Sequence, residues 1–405
     1  MMTKLEQLIK QLCPDGVEYK ALAEIAEYSK TRIPISTITV DEYIGVENLL
    51  QNKAGRTTAS SLPMNTDVAI AFTRGDILIG NIRPYLRKIW LADCNGGTNG
   101  DVLSVHINDK AVVMPRFLYY VLSSEKFFFY DIQNSKGAKM PRGDKAAVMR
   151  YICPVPPLEV QTEIVRILDK FTELATELAT ELANRKKQYE YYLNDIFSSV
   201  QAEYEPMEKH FPFIRNGFVG TVTSFFTDAE HGVRYLEGKN IHNGIISDNE
   251  ILYVTKDFHQ KHIRNELKPD DILMVQSGHV GECAVVGEKY AGANCHALII
   301  MSNGGNVNSK YVTYYFMSAE GKRKLEKITT GGTIKHILAS GMKKVTIPVP
   351  PIEEQHRIVA ILDRFDRLCN DISEGLPAEI DARKKQYEYY RDKLLTFKRS
   401  NSTTS

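Results

Sequence analysis

The feature that most constrains this chain is that it is written twice. Pro154-Val155-Pro156-Pro157-Leu158-Glu159-Val160-Gln161 recurs as Pro348-Val349-Pro350-Pro351-Ile352-Glu353-Glu354-Gln355, an offset of 194 residues. Ile164-Val165 and Ile167-Leu168-Asp169 return at the same offset as Ile358-Val359 and Ile361-Leu362-Asp363. Arg185 to Tyr192 returns unchanged as Arg383 to Tyr390, now offset by 198, so the second copy carries four extra residues between its blocks. Upstream the match weakens but keeps step: Asp76-Ile77-Leu78-Ile79 corresponds to Asp271-Ile272-Leu273-Met274, and Ser135 to Lys139 corresponds in position to Thr329 to Thr333. A repeat on this scale fixes architecture before any local reading does. The unit is a divergent region followed by a near-identical segment, and two units in tandem fill 405 residues whose 43% hydrophobic content suffices for more than one core.

The segment after Pro157 has the period of a helix. Ile164, Leu168, Phe171, Ala175, Leu178, Leu182, Tyr189, Tyr192 and Ile196 follow steps of three and four, interrupted at Arg185, which is the pattern of a coiled-coil seam. In the second copy Ile358, Leu362, Phe365, Cys369, Ile372 and Leu376 keep that seam, which resumes four residues out of phase at Ile380, Tyr387 and Leu394. Four inserted residues are a stutter, and Gly375-Leu376-Pro377 sits at it, so a kink or break is expected there. The residues expected to face a partner helix are Phe171, Leu174, Leu178, Leu182, Tyr189, Phe365, Ile372 and Tyr387.

The divergent regions carry short apolar runs between Gly, Asn and Asp turns: Val68 to Phe72, Ile77 to Ile79 and Val102 to Val105 in the first, Ile272 to Val275 and Ala297 to Met301 in the second. These read as strands, and one helix is expected in each head, near Phe117 to Phe127 and Tyr311 to Lys327. The fold class is α+β, with an internal pseudo-two-fold repeat. The expected divisions are a first head over 1–153 that includes a short N-terminal helix, a helical spacer over 154–200, a second head over 201–347, a second helical spacer over 348–400, and a disordered tail over 401–405.

Catalytic chemistry finds little support. The Pro-Pro pairs stand at the mouths of helices, where proline suits the first turn, and neither forms the Asp/Asn-Pro-Pro-aromatic loop of a DNA adenine methyltransferase. No Gly-x-x-x-x-Gly-Lys-Ser/Thr loop occurs. Pro14-Asp15 followed by Glu18-Tyr19-Lys20 imitates a nuclease string, but its two-residue gap leaves little room for neighbouring strands, and a turn is the better reading. His259-x-x-His262 and Cys295-His296 lack further ligands at zinc spacing, so no metal site is assigned. The six cysteines are far apart and read as reduced thiols. With no apolar run long enough to span a bilayer and no secretory pattern at the start, a cytoplasmic location is expected.

What remains is polar loop chemistry. Asn81 to Lys88 combines Asn81, Arg83, Arg87 and Lys88 with Tyr85, and Asn134 to Gly143 supplies Lys136, Lys139 and Arg142; Arg74 lies just upstream. Matching positions of the second head hold Gln276 and Ser277, then Lys335 and His336. Lys and Arg can meet phosphates, while Arg, Asn and Gln can reach base edges, so these twelve residues are the DNA-binding candidates. The formal net charge of +1 offers no global attraction to a polyanion, so any basic surface must be local.

The proline block, the Arg-Lys-Lys-Gln-Tyr-Glu-Tyr-Tyr block and the divergent heads between them resemble the specificity subunits of type I restriction-modification systems. Thr172-Glu173-Leu174-Ala175, repeated at 176–179 and 180–183, is similar to a variable four-residue array of that family. The resemblance implies two target recognition domains that each read half of a bipartite asymmetric DNA site. It implies an antiparallel coiled-coil spacer that sets the half-site separation. It also implies two methyltransferase subunits, which would hold S-adenosylmethionine, and restriction subunits, which would hold ATP and Mg2+, with no catalysis and no cofactor on this chain. It names no base-reading residue. Two other readings stand beside it: an enzyme with an unfamiliar site, which would methylate or cleave DNA alone, and a pure scaffold, which would show no DNA affinity and no salt dependence.

Overall fold

The computed structural model describes residues 3–332, 335–371 and 375–400. The chain forms two compact units, one made of residues 1–178 and 380–405, the other of residues 179–379. The linear divisions expected from the sequence therefore do not coincide with the compact ones: each unit combines one head with a part of each helical segment.

In unit 1, Thr3 caps the helix Lys4–Leu12, its hydroxyl accepting from the Glu6 amide while the Glu6 carboxylate accepts from the Thr3 amide. Glu18–Ala21 then pairs antiparallel with Ile152–Val155, closing the head just before the proline block. This absorbs the nuclease-like string into a structural strand, where Lys20 and Glu18 lie 3.2 Å apart. One four-stranded antiparallel sheet runs Ala26–Tyr28, Val102–Ile107, Ile77–Gly80, Ile89–Leu91. The strand Ile77–Gly80 is buried on both faces, and its side chains alternate between two cores. Ile77 and Ile79 pack with Leu103, Val105, Phe117, Phe128 and the helix residues Ile164 and Leu168, whereas Leu78 packs with Ile44, Phe72 and Trp90.

Unit 2 repeats this arrangement. Tyr204–Pro206 pairs antiparallel with Thr346–Pro348, and the main sheet runs Phe213–Asn216, Leu298–Ser302, Ile272–Val275, Cys283–Val285. Ile272 and Met274 face the core that holds Ile358 and Leu362, while Leu273 and Val275 face a second core. The second sheets differ. In unit 1 the order is Arg32–Pro34, Val68–Phe72, Gly96–Thr98, Tyr43–Ile44. In unit 2 it is Phe226–Thr227, Leu252–Thr255, Gly232–Leu236, Asn294–Cys295, so the strands that come second and fourth in chain order have exchanged the inner and edge places.

Each head has two helices where one was expected: Pro115–Leu122 and Glu125–Gln133, then Ser309–Met317 and Ala319–Ile328. Serine makes the breaks, because the Ser124 hydroxyl caps the Phe127 amide and the Ser318 hydroxyl caps the Gly321 amide.

The repeated blocks join head to helix in matching ways. The Gln161 side chain accepts from the Met114 amide and donates to the Val112 and Pro156 carbonyls; Gln355 accepts from the Asn308 amide and donates to the Pro350 carbonyl. Tyr120 donates to Asp169, which also holds Arg116 at 2.7 Å, and Tyr314 donates to Asp363, which also holds Lys310 at 2.7 Å. The identity of the two blocks is thus a repeated hydrogen-bond plan as well as an apolar face.

Leu158–Ser199 is one helix of 42 residues, whereas its counterpart is divided into Ile352–Asn370 and Leu376–Leu394. The expected break is present. A Cβ at Gly375 would lie 2.6 Å from the carbonyl oxygens of Arg367 and Asp371, so the chain passes there only without a side chain. Ile372, expected on the seam, lies outside the described residues. In unit 1 Phe171 stacks on Tyr390 at 5.5 Å and Tyr387 joins the main core. In unit 2 Tyr189 and Tyr192 lie 6.3 and 5.3 Å from Phe365. Leu178 and Leu182 are half-buried, but Leu174 is exposed, and Ala175 takes the inward place. A four-residue unit over-rotates the helix by about 40°, so successive leucines of the array drift around it. Leu193 and Phe197, outside the expected seam, are buried, and Phe197 packs on Tyr311 and Tyr315.

Candidate nucleic-acid interface

In each head the two loops singled out in the sequence are brought together at one end of the main sheet. In the first head the amide of Arg83 donates to the Pro141 carbonyl at 2.7 Å, and the amide of Gly143 donates to the Asn81 carbonyl at 3.0 Å. Lys136 and Arg142 exchange backbone hydrogen bonds of 2.8 and 2.9 Å, which closes a tip containing Lys139. Gly137 turns this tip at φ 99°, a conformation that favours glycine. Arg83 and Arg87 flank Pro84-Tyr85-Leu86 at φ 52° and 51°, left-handed values that are uncommon for residues other than glycine and cluster at working sites. Arg83 and Lys139 are exposed and have no ion-pair partner among the described residues, while Tyr85 is 50% exposed beside them.

The other candidates of this head are placed differently. Lys136 is held by Asp144 at 2.7 Å and Arg142 by Asp101 at 3.1 Å, both with the cation exposed. The Lys136 hydrogen bond and the backbone amide of Ala147 hold the Asp144 carboxyl down at about 2. Arg87 pairs with Glu125 at 2.8 Å, and Lys53 reaches the same carboxylate at 2.8 Å. Burial alone would raise the Glu125 carboxyl, but Lys53, with Arg87 and Arg391 nearby, brings it below the ordinary carboxylate range. Lys88 donates to the Val46 carbonyl at 2.6 Å, and burial lowers its ammonium pKa. Asn81 is only 5% exposed, beneath the loops instead of on them. Arg74 is exposed, but it precedes Ile77–Gly80 whereas Asn81 follows it; four residues of strand separate them by about 13 Å, so Arg74 does not join the cluster.

In the second head the matching loops carry other side chains on the same frame. The amide of Ile337 donates to the Gln276 carbonyl at 3.1 Å, as Gly143 does to Asn81. Ser277 Oγ and His336 Nδ1 are 2.6 Å apart, Lys335 is exposed with no ion-pair partner among the described residues, and Gln276 Oε1 is buried without a hydrogen-bond partner. Thr333 and Ile334 lie outside the described residues. The sequence did not single out Lys53, Glu125, Asp131 or Arg391, because their surroundings are supplied by segments distant in the chain: Lys53 and Arg87 reach Glu125, Gly143 lies beside Asp131, and Arg391 reaches the Ser123 carbonyl.

The remaining candidate sites are structural in their contacts. His259 is buried 3.1 Å from Glu266, and His262 packs on Phe218 and Phe258. Among the described residues no group of three His, Cys, Asp or Glu side chains could hold a metal ion, and no helix is long and apolar enough to cross a membrane.

Two copies of one frame with different loop chemistry invite comparison with known proteins. The family described as type I restriction modification DNA specificity domain matches residues 14–187 and again 207–382. The chain belongs to that family. A putative type I restriction enzyme specificity subunit of Haemophilus influenzae is 34% identical over 98% of this chain and 98% of its own length. The specificity subunit of an Escherichia coli type I restriction enzyme is 33% identical over the whole of both chains. A chain from a solved type I restriction-modification system has the same fold, with a TM-score of 0.65 at 18% identity over 95% of this chain and 98% of that one. The S subunit of Mycoplasma genitalium gives 0.52 at 13% identity over 94% and 96%. This specificity subunit is thus a non-catalytic component of a restriction-modification system.

Proposed function

We propose that this specificity subunit reads a bipartite asymmetric DNA sequence, one half with each head, and does so in the cytoplasm. The observation that carries the reading is the meeting of two loops at matched places in both heads, with Arg83, Lys139 and Arg142 on one and Ser277, Lys335 and His336 on the other. A shared frame with unlike side chains is what two readers of unlike half-sites require. The near-identical helical segments then serve a partner that binds twice, two methyltransferase subunits carrying S-adenosylmethionine, with the segments paired as an antiparallel coiled-coil spacer. Restriction subunits carrying ATP and Mg2+ complete the assembly, and this chain itself binds no cofactor.

The assembled methyltransferase complex tests the reading through its salt dependence. Lys139→Ala should weaken binding to every sequence and reduce the salt slope by about one, whereas Arg83→Ala should cost about 1 to 3 kcal/mol on the cognate site. Unchanged affinity in both variants would remove these loops from the interface.

The Thr-Glu-Leu-Ala array over 172–183 acts in this reading as a ruler. Each unit adds about 6 Å and a net rotation of about 40°. One base pair adds about 3.4 Å and about 35°. The rotations agree while the length exceeds one base pair, an excess that a spacer crossing the duplex obliquely absorbs, so one unit is taken as one base pair in preference to two. Deleting Thr176 to Ala179 should shorten the half-site separation by one base pair and leave both half-sites as they were, as read by sequencing methylated adenines. The original spacing, or altered half-sites, would contradict the ruler.

A further inference from the structure

Beneath the paired loops of the first head, two buried side-chain oxygen atoms lie against one backbone position, neither with a hydrogen-bond partner. Asn81 is 5% exposed and Asp131, on the helix Glu125–Gln133, is 2% exposed; Asn81 Oδ1 and Asp131 Oδ1 are both buried without a hydrogen-bond partner. Both lie beside the backbone of Gly143. A Cβ built there would lie 2.6 Å from Asp131 Oδ1 and 2.8 Å from Asn81 Oδ1, so a side chain would have to push these two buried groups aside. Gly143 is also the residue whose amide donates to the Asn81 carbonyl, the bond that ties one loop to the other.

The second head supplies an internal control. At the positions that match Asp131 and Gly143 it has Leu325 and Ile337, both buried in one apolar core, and Gln276 stands where Asn81 does. The backbone bond is kept, from Ile337 to Gln276. At the same joint the first head thus has an acid and a glycine where the second has two apolar side chains, and both have an amide.

We propose that Asp131 and Asn81 are positioning residues of the first head, holding its two loops from beneath, through Gly143, at the spacing in which Arg83, Lys139 and Arg142 face DNA. The inference rests on the DNA-reading function proposed above. Two acceptors cannot satisfy each other, whereas a protonated Asp131 donates to Asn81 Oδ1, and an ionised Asp131 accepts from the Asn81 amide once that group has turned over. The joint thus exchanges one hydrogen bond for another as Asp131 titrates.

Burial pushes the Asp131 carboxyl up to about 6. The charged and titratable groups around it are few. Tyr28, on the strand Ala26–Tyr28, has its phenol pKa raised by burial and by Asp131 and Asp144, and its hydroxyl donates to the Lys145 carbonyl. On the loop segments Lys136 is paired with Asp144 and Arg142 with Asp101. Because the folded-state value lies above the ordinary 3.8, the neutral acid favours the fold; this contribution is full below about pH 4 and is lost as the pH rises through about 6.

The test is the affinity of the assembled methyltransferase complex for its cognate duplex, measured from pH 5 to pH 8 at fixed salt. Because the neutral acid is the form that the folded joint favours, the wild type should bind more tightly below about pH 6 than above it, and Asp131→Asn, which is uncharged and keeps an amide at every pH, should bind without that fall. Asp131→Leu, which copies the second head's residue, should lose about tenfold in affinity and relax the first half-site alone. A wild-type profile and wild-type half-site discrimination in both variants would overturn the proposal, as would equal relaxation of both halves. Arg83→Ala in parallel separates the two levels: if it weakens binding while the Asp131 variants do nothing, only the positioning role falls, and if none of them matters the DNA-reading role falls with it.

Discussion

The two heads meet their helices with opposite chemistry. In unit 1 the seat is a charged cluster, with Lys53 and Arg87 on Glu125 and Arg391 fully buried, its guanidinium bonded to Asp392 and to the Ser123 carbonyl. In unit 2 the matching residues are Gly281 for Arg87, Ala319 for Glu125, Leu193 for Arg391 and Asn194 for Asp392. Gly281 keeps a left-handed backbone, φ 93° against 51° for Arg87, so the loop course survives while the side chain is gone. The place is left as a cavity of about 650 Å³, with Leu193, Gly281, Phe316 and Ala319 on one part of its wall and Glu282 and Lys322 among the charged side chains on the rest. By contrast, the Gln161 and Gln355 joints and the Tyr120 and Tyr314 hydrogen bonds to aspartate are the same plan twice. The difference teaches that the frame is fixed where head joins helix through the repeated blocks, and is free to vary a few ångströms away.

The comparison can be broken most sharply at Leu193. Leu193→Arg removes a buried leucine from the core and puts a guanidinium at the edge of this cavity, where Ala319 and Asn194 do not offer the carboxylates of Glu125 and Asp392, although Glu190, Glu282 and Glu326 line the same space; it should destabilise by about 2 to 3 kcal/mol in denaturant melts of the purified chain. Adding Ala319→Glu and Asn194→Asp should recover part of that loss; no recovery would mean that the two seats are not equivalent. The shared joints come next. Gln161→Ala should cost about 1 to 2 kcal/mol, because it takes the partner from three backbone groups, one of them buried and two partly buried, and Gln355→Ala should cost less, because it takes it from two, one buried and one partly buried. An inverted order in thermal melts would show that the joints differ in ways their hydrogen bonds do not reveal. The smallest effect is expected for Arg391→Met, an unbranched apolar side chain closer to arginine in reach. Asp392 keeps 36% of its side-chain surface in water and so is not left as a buried charge; a loss of about 1 kcal/mol is expected, and a loss above about 3 kcal/mol would show that the cluster needs its third cation.

These contrasts explain what could be read in advance. The repeat, the helix after Pro157, the break at Gly375 and the strands Val68–Phe72 and Ile272–Val275 announce themselves through period and turn residues, which are local signals. So does the recurrence of each loop in both heads, because Asn81 to Lys88 and Asn134 to Gly143 have counterparts offset by 195 and 194 residues; that the two loops of one head meet is not legible there. What stayed hidden depends on distant partners. Nothing near Asn81 in the chain shows that Asp131 and Gly143 will bury it, and nothing near Arg87 shows that it will turn to Glu125. The exchange of strand places in the second sheet is equally silent, since pairing order leaves no mark on the composition of a strand. Ser124 and Ser318 did carry a legible signal: each precedes an acidic first turn, and a capping reading would have divided the helices.

The central claim is that each head reads its own half-site independently on a common frame. The most direct measurement is a methylome from cells in which residues 15–153 are exchanged for the corresponding head of a related specificity subunit, with the second head and the Thr-Glu-Leu-Ala array untouched. The account predicts that the first half of the methylated sequence changes while the second half and the spacing stay as they were; a change in both halves, or in neither, would contradict it.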